Sequence, residues 1–197
     1  MISSKTVDLM DMACKAMNKR YSEIRICELG NQYIKWDKCG TGKNYLIGKG
    51  VIEHVSLDLN GRDGALKIDL SKPIEQWKNY FDMLTNYGTT EHVEGQYEVF
   101  QNIHSLIKVK GCSMHAVPIV GGWSKHCNVH YEKCFFEELS QVMRYDIIYC
   151  DNRIIEGRWQ HQSDIDKTLV CAIIMKNEDT EFISKDKFYS LKGLETK

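Results

Sequence analysis

Proline occurs only twice in the 197 residues, at Pro73 and Pro118, and no repeat or proline-rich spacer divides the chain. Charge of either sign is not in excess: 26 basic against 27 acidic side chains leave a formal −1. That balance gives no general pull toward nucleic acid or an anionic membrane surface. No apolar run approaches the length of a bilayer span, and Lys5, Asp8, Asp11, Lys15 and Lys19 interrupt the first twenty residues, which excludes a signal-peptide core there. Cys-x-x-Cys pairs are also absent, although there are eight cysteines. Cys27, Cys112, Cys150 and Cys171 lie in apolar runs, where a free thiol behaves as a small hydrophobe. Cys127, Cys134, His126 and His130 can be drawn as a zinc set but lack the tight paired spacing of structural zinc sites. The expectation is a soluble, cytoplasmic, reduced protein that acts on a small molecule.

What is present is a globular composition, 43% hydrophobic, enough for one domain with a full core. Ser3 or Ser4 can cap a helix over residues 1–20, in which Val7, Met10, Cys14 and Met17 follow helical spacing. Strand patterns follow at Ile24–Cys27, His54–Leu59, Ala65–Leu70, Phe81–Asn86, Cys112–Val117, Asp146–Cys150 and Thr168–Met175. Helical stretches lie between most of them, notably Glu75–Tyr80, Val93–Ile107 and Tyr131–Met143. Alternating strand and helix predicts an α/β domain with a mainly parallel sheet covered on both faces. The last two strands are joined without a helix and are expected to pair antiparallel.

The most informative stretch is Phe81-Asp82-Met83-Leu84-Thr85-Asn86-Tyr87-Gly88-Thr89-Thr90-Glu91-His92-Val93, a buried-strand pattern that runs into small, polar and ionisable residues. Chemistry is most often housed at such a strand end. A second strand-like run, Gly111 to Pro118, follows the next helix. The block resembles the fourth and fifth strands of class I S-adenosylmethionine (SAM) dependent methyltransferases of the type 11/23 kind, with the Glu-His-Val motif of ubiquinone-pathway O-methyltransferases. The resemblance runs from about Ile24 to Met175. It implies a Rossmann-like, seven-stranded, mainly parallel sheet with helices on both faces and the last strand antiparallel. It also implies SAM as cofactor and S-adenosylhomocysteine as product.

Site residues follow from it in chain order. Ile26-Cys27-Glu28-Leu29-Gly30-Asn31-Gln32 looks like the acidic, glycine-containing turn that holds SAM, with Glu28, Gly30 and Gln32 on the methionine moiety; the plain alternative is one glycine ending a strand. Asp58, with Leu59 beside it, matches the carboxylate that receives the ribose hydroxyls, although Asn60-Gly61-Arg62-Asp63-Gly64 is turn-forming by itself. Asp69 matches the acid that binds the adenine amino group while Leu70 packs on the ring; capping by Asp69 is the alternative. Asn86, Tyr87 and Gly88 complete the cofactor-side turn. The run Cys39 to Asn44 lacks P-loop spacing, and residues 33–50 suit a flap near the cofactor.

Glu91 and His92 stand where the family's Glu-His pair either binds a divalent metal or supplies a general base near neutrality; capping of the next helix is the alternative. Gly88 replaces the family's further acidic ligand, so no metal is assigned. His126 and His130, in an acceptor-side loop over residues 119–131, are the other candidate proton acceptors. An Asn/Asp-Pro-Pro-aromatic motif is missing after the fourth strand, which argues against base N-methylation. The resulting expectation is methyl transfer to a hydroxyl of a sugar or other metabolite beneath an N-terminal capping helix; a SAM-fold partner subunit without catalysis is the alternative.

Overall fold

The structure is a computed structural model that describes residues 1–34, 40–123, 126–155 and 163–196. In chain order the elements are α1 Asp8–Ala16, β1 Arg25–Leu29, α2 Gly42–Gly48, β2 Glu53–Leu57, β3 Phe81–Tyr87, α3 Gln96–Leu106, β4 Ile107–Pro118, β5 Val129–Tyr131, α4 Lys133–Met143, β6 Asp146–Ile154, β7 Thr168–Met175, α5 Lys185–Tyr189 and β8 Leu194–Thr196. Six strands form one sheet in the order β2-β1-β3-β4-β7-β6, and β5 pairs with β8 separately. β2, β1, β3 and β4 run parallel, β7 runs antiparallel to β4, and β6 antiparallel to β7. The α/β class, the mainly parallel sheet and the antiparallel final pair follow the sequence patterns.

β3 lies at the centre, and all seven of its residues are buried, as a strand covered on both faces requires. Its alternation sorts the core: Leu84 joins Cys27, Leu29, Val99, Phe100 and Phe135 on one face, while Met83 joins Ile26, Cys112, Met114 and the apolar side of α1 on the other. α3 and α4 pack on the first face, where the Phe100 and Phe135 rings meet at 5.1 Å. At the amino-terminal edge of the sheet, Asp82 is 2% exposed and accepts from Lys19 Nζ at 2.6 Å and Lys108 Nζ at 3.2 Å.

Several boundaries differ from the expectation. Ala65–Leu70 is not a strand: a single parallel bridge, Leu57 to Leu66, is all that remains of it, so the main sheet has six strands rather than seven. Gly61, Asp63 and Gly64 all adopt positive φ and curl the chain before it can extend beside β2. Glu75–Tyr80 is not a helix, because Trp77 and Asn79 sit in left-handed conformations that cannot propagate one. The first helix is confined to Asp8–Ala16. α3 begins at Gln96, and Thr90–His92 forms a separate 3₁₀ turn ahead of it. No helix among the described residues is long and apolar enough to cross a membrane.

Candidate cofactor and acceptor site

The candidate site lies at the carboxyl ends of β1, β2 and β3, the end at which open parallel sheets ordinarily bind ligands. Glu28, the penultimate residue of β1, is fully buried. Its Oε2 accepts from Ser56 Oγ at 2.8 Å and lies 3.6 Å from His54 Nε2, while its Oε1 has no partner. Burial pushes the Glu28 carboxyl up to about 7, against the opposing Ser56 hydrogen bond, and pushes His54 down to about 4. Gly30 turns the chain with φ +79°, its N–H bonded to Leu57 O at 2.8 Å. A Cβ there would collide with Thr89 Oγ1 and Gln32 Nε2, so the position needs glycine for both conformation and space. Thr89 Oγ1 donates to Leu29 O at 2.7 Å and accepts from Gln32 Nε2 at 2.9 Å. One hydroxyl therefore joins the β1 turn to the turn that follows β3.

On the β2 side, Asp58 is half-buried and faces the β1 turn: Oδ2 accepts from Asn31 N at 2.7 Å and Oδ1 from Asn60 N at 2.9 Å. Leu59 is 61% exposed. Asp69 does not end a strand. Its Oδ1 accepts from Ser71 Oγ at 2.7 Å and Ser71 N at 3.0 Å, the local capping alternative, and those bonds lower its pKa. Leu70 packs in the core with Leu57 and Ile74. Asp63, which sequence reasoning treated only as part of a turn, gathers Asn31 Nδ2 at 2.6 Å and Tyr33 Oη at 2.7 Å. Its signal was the Asn-Gly-Arg-Asp-Gly run itself.

Beyond β3, Asn86 and Tyr87 are buried. Tyr87 points away from the turn, its hydroxyl donating to Thr6 O at 3.1 Å, while its carbonyl accepts from Met1 N at 2.9 Å. Ile2 is bridged to Ile34 and bonded to Tyr33 O at 3.1 Å, so the segment ahead of α1 crosses these strand ends. Glu91 is 1% exposed, with Oε2 unpartnered, and burial pushes its carboxyl up to about 7. His92 has a side chain 46% exposed, its Nε2 3.8 Å from Glu91 Oε1. Burial, then the neighbouring His126, lowers its pKa; the cause is not the end of α3, which starts four residues later. The His92 and His126 rings meet edge-to-face at 5.0 Å.

Glu91, His92 and His126 each offer a ligand atom, all within 4.8 Å of one another, the one such group among the described residues. His126 thus enters where the sequence left a metal set incomplete at Gly88. Gly88 explains its own identity: with φ +77°, a Cβ there would stand 2.9 Å from Glu91 Oε1. His130 is brought near but not into the group; it is buried, with Nε2 3.5 Å from Cys127 Sγ. Cys134 instead bonds Glu132 Oε2, so the zinc set drawn from sequence is not assembled. After β4, Trp123 is held through Nε1 to Thr168 O at 2.8 Å and N to Asp166 Oδ1 at 2.9 Å, and Asn128 N bonds Glu91 O at 3.2 Å. Ser124, Lys125 and Cys39 lie outside the described residues.

No family model and no curated protein matches the chain. Solved structures do. The 1,6-didemethyltoxoflavin-N1-methyltransferase of Burkholderia thailandensis, solved with its acceptor and S-adenosylhomocysteine, superposes with TM-score 0.63 at 11% identity, over 89% of this chain and 80% of that one. A SAM-dependent methyltransferase from Mesorhizobium loti gives TM-score 0.59 at 14% identity, over 85% and 97%. The fold is that of the SAM-dependent methyltransferases. Geranyl diphosphate C-methyltransferase from Streptomyces coelicolor, solved with Mg²⁺, substrate and S-adenosylhomocysteine, shares it at TM-score 0.56 and 10% identity, over 85% and 79%. So does the [4+2]-cyclase SpnF, at TM-score 0.57 and 12% identity, over 86% and 80%.

Proposed function

We propose that the protein is a SAM-dependent methyltransferase acting on a hydroxyl oxygen of a small, hydroxylated metabolite. The observation that carries this reading is the convergence of Glu91, His92 and His126, beginning two residues beyond Thr89, the side chain that touches the β1 turn. An acceptor-side cluster thus adjoins a cofactor-side turn. The residues at that turn fit the cofactor: a left-handed Gly30, a buried Glu28 oxygen without a partner and a strand-end Asp58. Glu28 and Gln32 would hold the methionine end and Asp58 the ribose, by analogy with dinucleotide sites. Bound SAM supplies the electrophilic methyl group. The chain supplies alignment and removes the acceptor's hydroxyl proton, which His92 takes up as a ring kept neutral by burial. Glu91, poised near 7, orients the ring from its buried side.

A second reading is favoured by the same geometry: Glu91, His92 and His126 hold a divalent cation that polarises the acceptor hydroxyl. Fold likeness does not separate a transferase from the cyclase or from a partner subunit. Calorimetry with SAM and S-adenosylhomocysteine, followed by mass analysis of hydroxylated acceptors, does. Absence of binding defeats the enzyme reading, and binding without transfer to any acceptor favours the partner subunit. Loss of activity on chelation, restored by Mg²⁺ or Mn²⁺, selects the cation; indifference to chelator selects the general base.

A further inference from the structure

The Thr90–His92 turn is too short to hold itself, having two internal backbone bonds, His92 N to Thr89 O at 3.1 Å and Val93 N to Thr90 O at 3.0 Å. Its rigidity comes from four side chains buried around it, Asn86, Thr90, Gln96 and Tyr131. Asn86 Oδ1 accepts from Thr89 N at 3.2 Å and Thr90 N at 3.3 Å, and its Nδ2 donates to Thr90 Oγ1 at 2.9 Å and to His115 Nδ1 at 3.2 Å. Thr90 Oγ1 lies 2.9 Å from Tyr131 Oη, which lies 2.6 Å from Gln96 Oε1. A phenol has one proton and an amide oxygen only accepts, so Tyr131 donates to Gln96 and receives the Thr90 hydroxyl proton. Gln96 Nε2 closes the ring on Thr90 O at 2.7 Å and Val93 O at 2.5 Å. Every direction is mutually consistent, which makes the bonds cooperative.

We propose that Tyr131, with Gln96, is a positioning residue that locks the Glu91–His92 turn to the end of the His126 loop. Tyr131 belongs to β5, which begins three residues after His126, so its hydroxyl, together with the Asn128 N to Glu91 O bond at 3.2 Å, ties the two sides of the cluster. This rests on the reading of Glu91, His92 and His126 as the acceptor-side group. Neither Tyr131 nor Gln96 needs to touch acceptor or cofactor, and the ring encloses the turn's backbone while leaving the three donor side chains outside it.

The test compares wild type, Tyr131→Phe and Thr90→Ser by amide hydrogen exchange, S-adenosylhomocysteine calorimetry and Mn²⁺ binding. In Tyr131→Phe, which removes the hydroxyl's bonds to both Thr90 and Gln96, the His92 and Val93 amides should exchange about tenfold or more faster, while central-strand amides and S-adenosylhomocysteine affinity hold. Mn²⁺ binding should weaken by about the same factor. Thr90→Ser keeps the hydroxyl and should match wild type. Unchanged His92 and Val93 exchange, or acceleration spread equally through the sheet, overturns the proposal. Wild-type protein that ignores Mn²⁺ defeats the cation reading alone, since exchange still decides the positioning role. Should Tyr131→Phe fail to fold, Gln96→Met opens the same ring from its other side and is read in the same way.

Discussion

The two sides of the candidate site are built differently. Around β3 and the turn after it, strand residues are fully buried, and Asn86, Thr90, Gln96 and Tyr131 bond one another across the fold, while Thr85 Oγ1 and Glu91 Oε2 are left without a partner. Around residues 58–70 the expected third strand is reduced to one bridge; Asp69 closes on Ser71, and Asp58 on Asn60, with Asp58 and Asp63 reaching across only to Asn31 and Tyr33 after β1. Packing dictates the first region and local turn chemistry the second. A region held by tertiary contacts keeps a geometry through a reaction cycle, whereas one held by turns can re-form around a nucleoside at little cost. Precision is thus concentrated at the turn that carries Glu91 and His92.

The contrast can be broken at either side. The largest effect is expected from His92→Ala, which should lower kcat for the identified acceptor by about 10²-fold or more, the scale of a lost general base, while S-adenosylhomocysteine affinity changes little; a fully active variant would reduce Glu91-His92 to a turn feature. Asp58→Ala should show the opposite split, weakening cofactor binding by about 1 to 3 kcal/mol with the melting temperature nearly unchanged. Equal affinity in calorimetry would remove Asp58 from the ribose site.

The pH dependence of stability sharpens the picture of the buried carboxyls. Glu28 and Glu91 have ordinary values of 4.5, and burial raises each to about 7 in the folded protein. Between those values the unfolded chain releases its protons while the folded one keeps them, so stability falls as pH rises from about 4.5 to 7 and levels off above. In metal-free protein, Glu91→Gln should flatten that fall by about 1 to 3 kcal/mol, read from denaturant midpoints across the range. An unaltered slope would mean that Glu91 is already ionised at low pH. The smallest effect is expected from Gly88→Ala, about 1 to 2 kcal/mol of strain at a left-handed position, with a displaced Glu91 weakening any Mn²⁺ binding.

Legibility in the sequence tracked the same division. Phe81–Asn86 and Thr168–Met175 read correctly as strands, the second because a continuous apolar run is what a buried strand requires; the first extends in the fold to Tyr87. Ala65–Leu70 misled because Leu66, Ile68 and Leu70 alternate like a strand, yet Gly61, Asp63 and Gly64 turn the chain before them. Glu75–Tyr80 misled because nothing in its composition announces a left-handed Trp77. In the site, Glu91, His92 and His126 were each singled out, but not their meeting, since 34 positions separate His92 from His126 and only the fold closes that distance. Tyr131 and Gln96 carried no signal of their own: a buried phenol and an amide acquire a role only through partners.

Gly88 also limits what substitution can reach. A carboxylate at this position, the residue that would complete an acidic pair with Glu91, begins with a Cβ 2.9 Å from the Glu91 oxygen on a backbone at φ +77°. An acid introduced at position 88 would therefore have to displace the Glu91 carboxyl end and adopt a left-handed backbone.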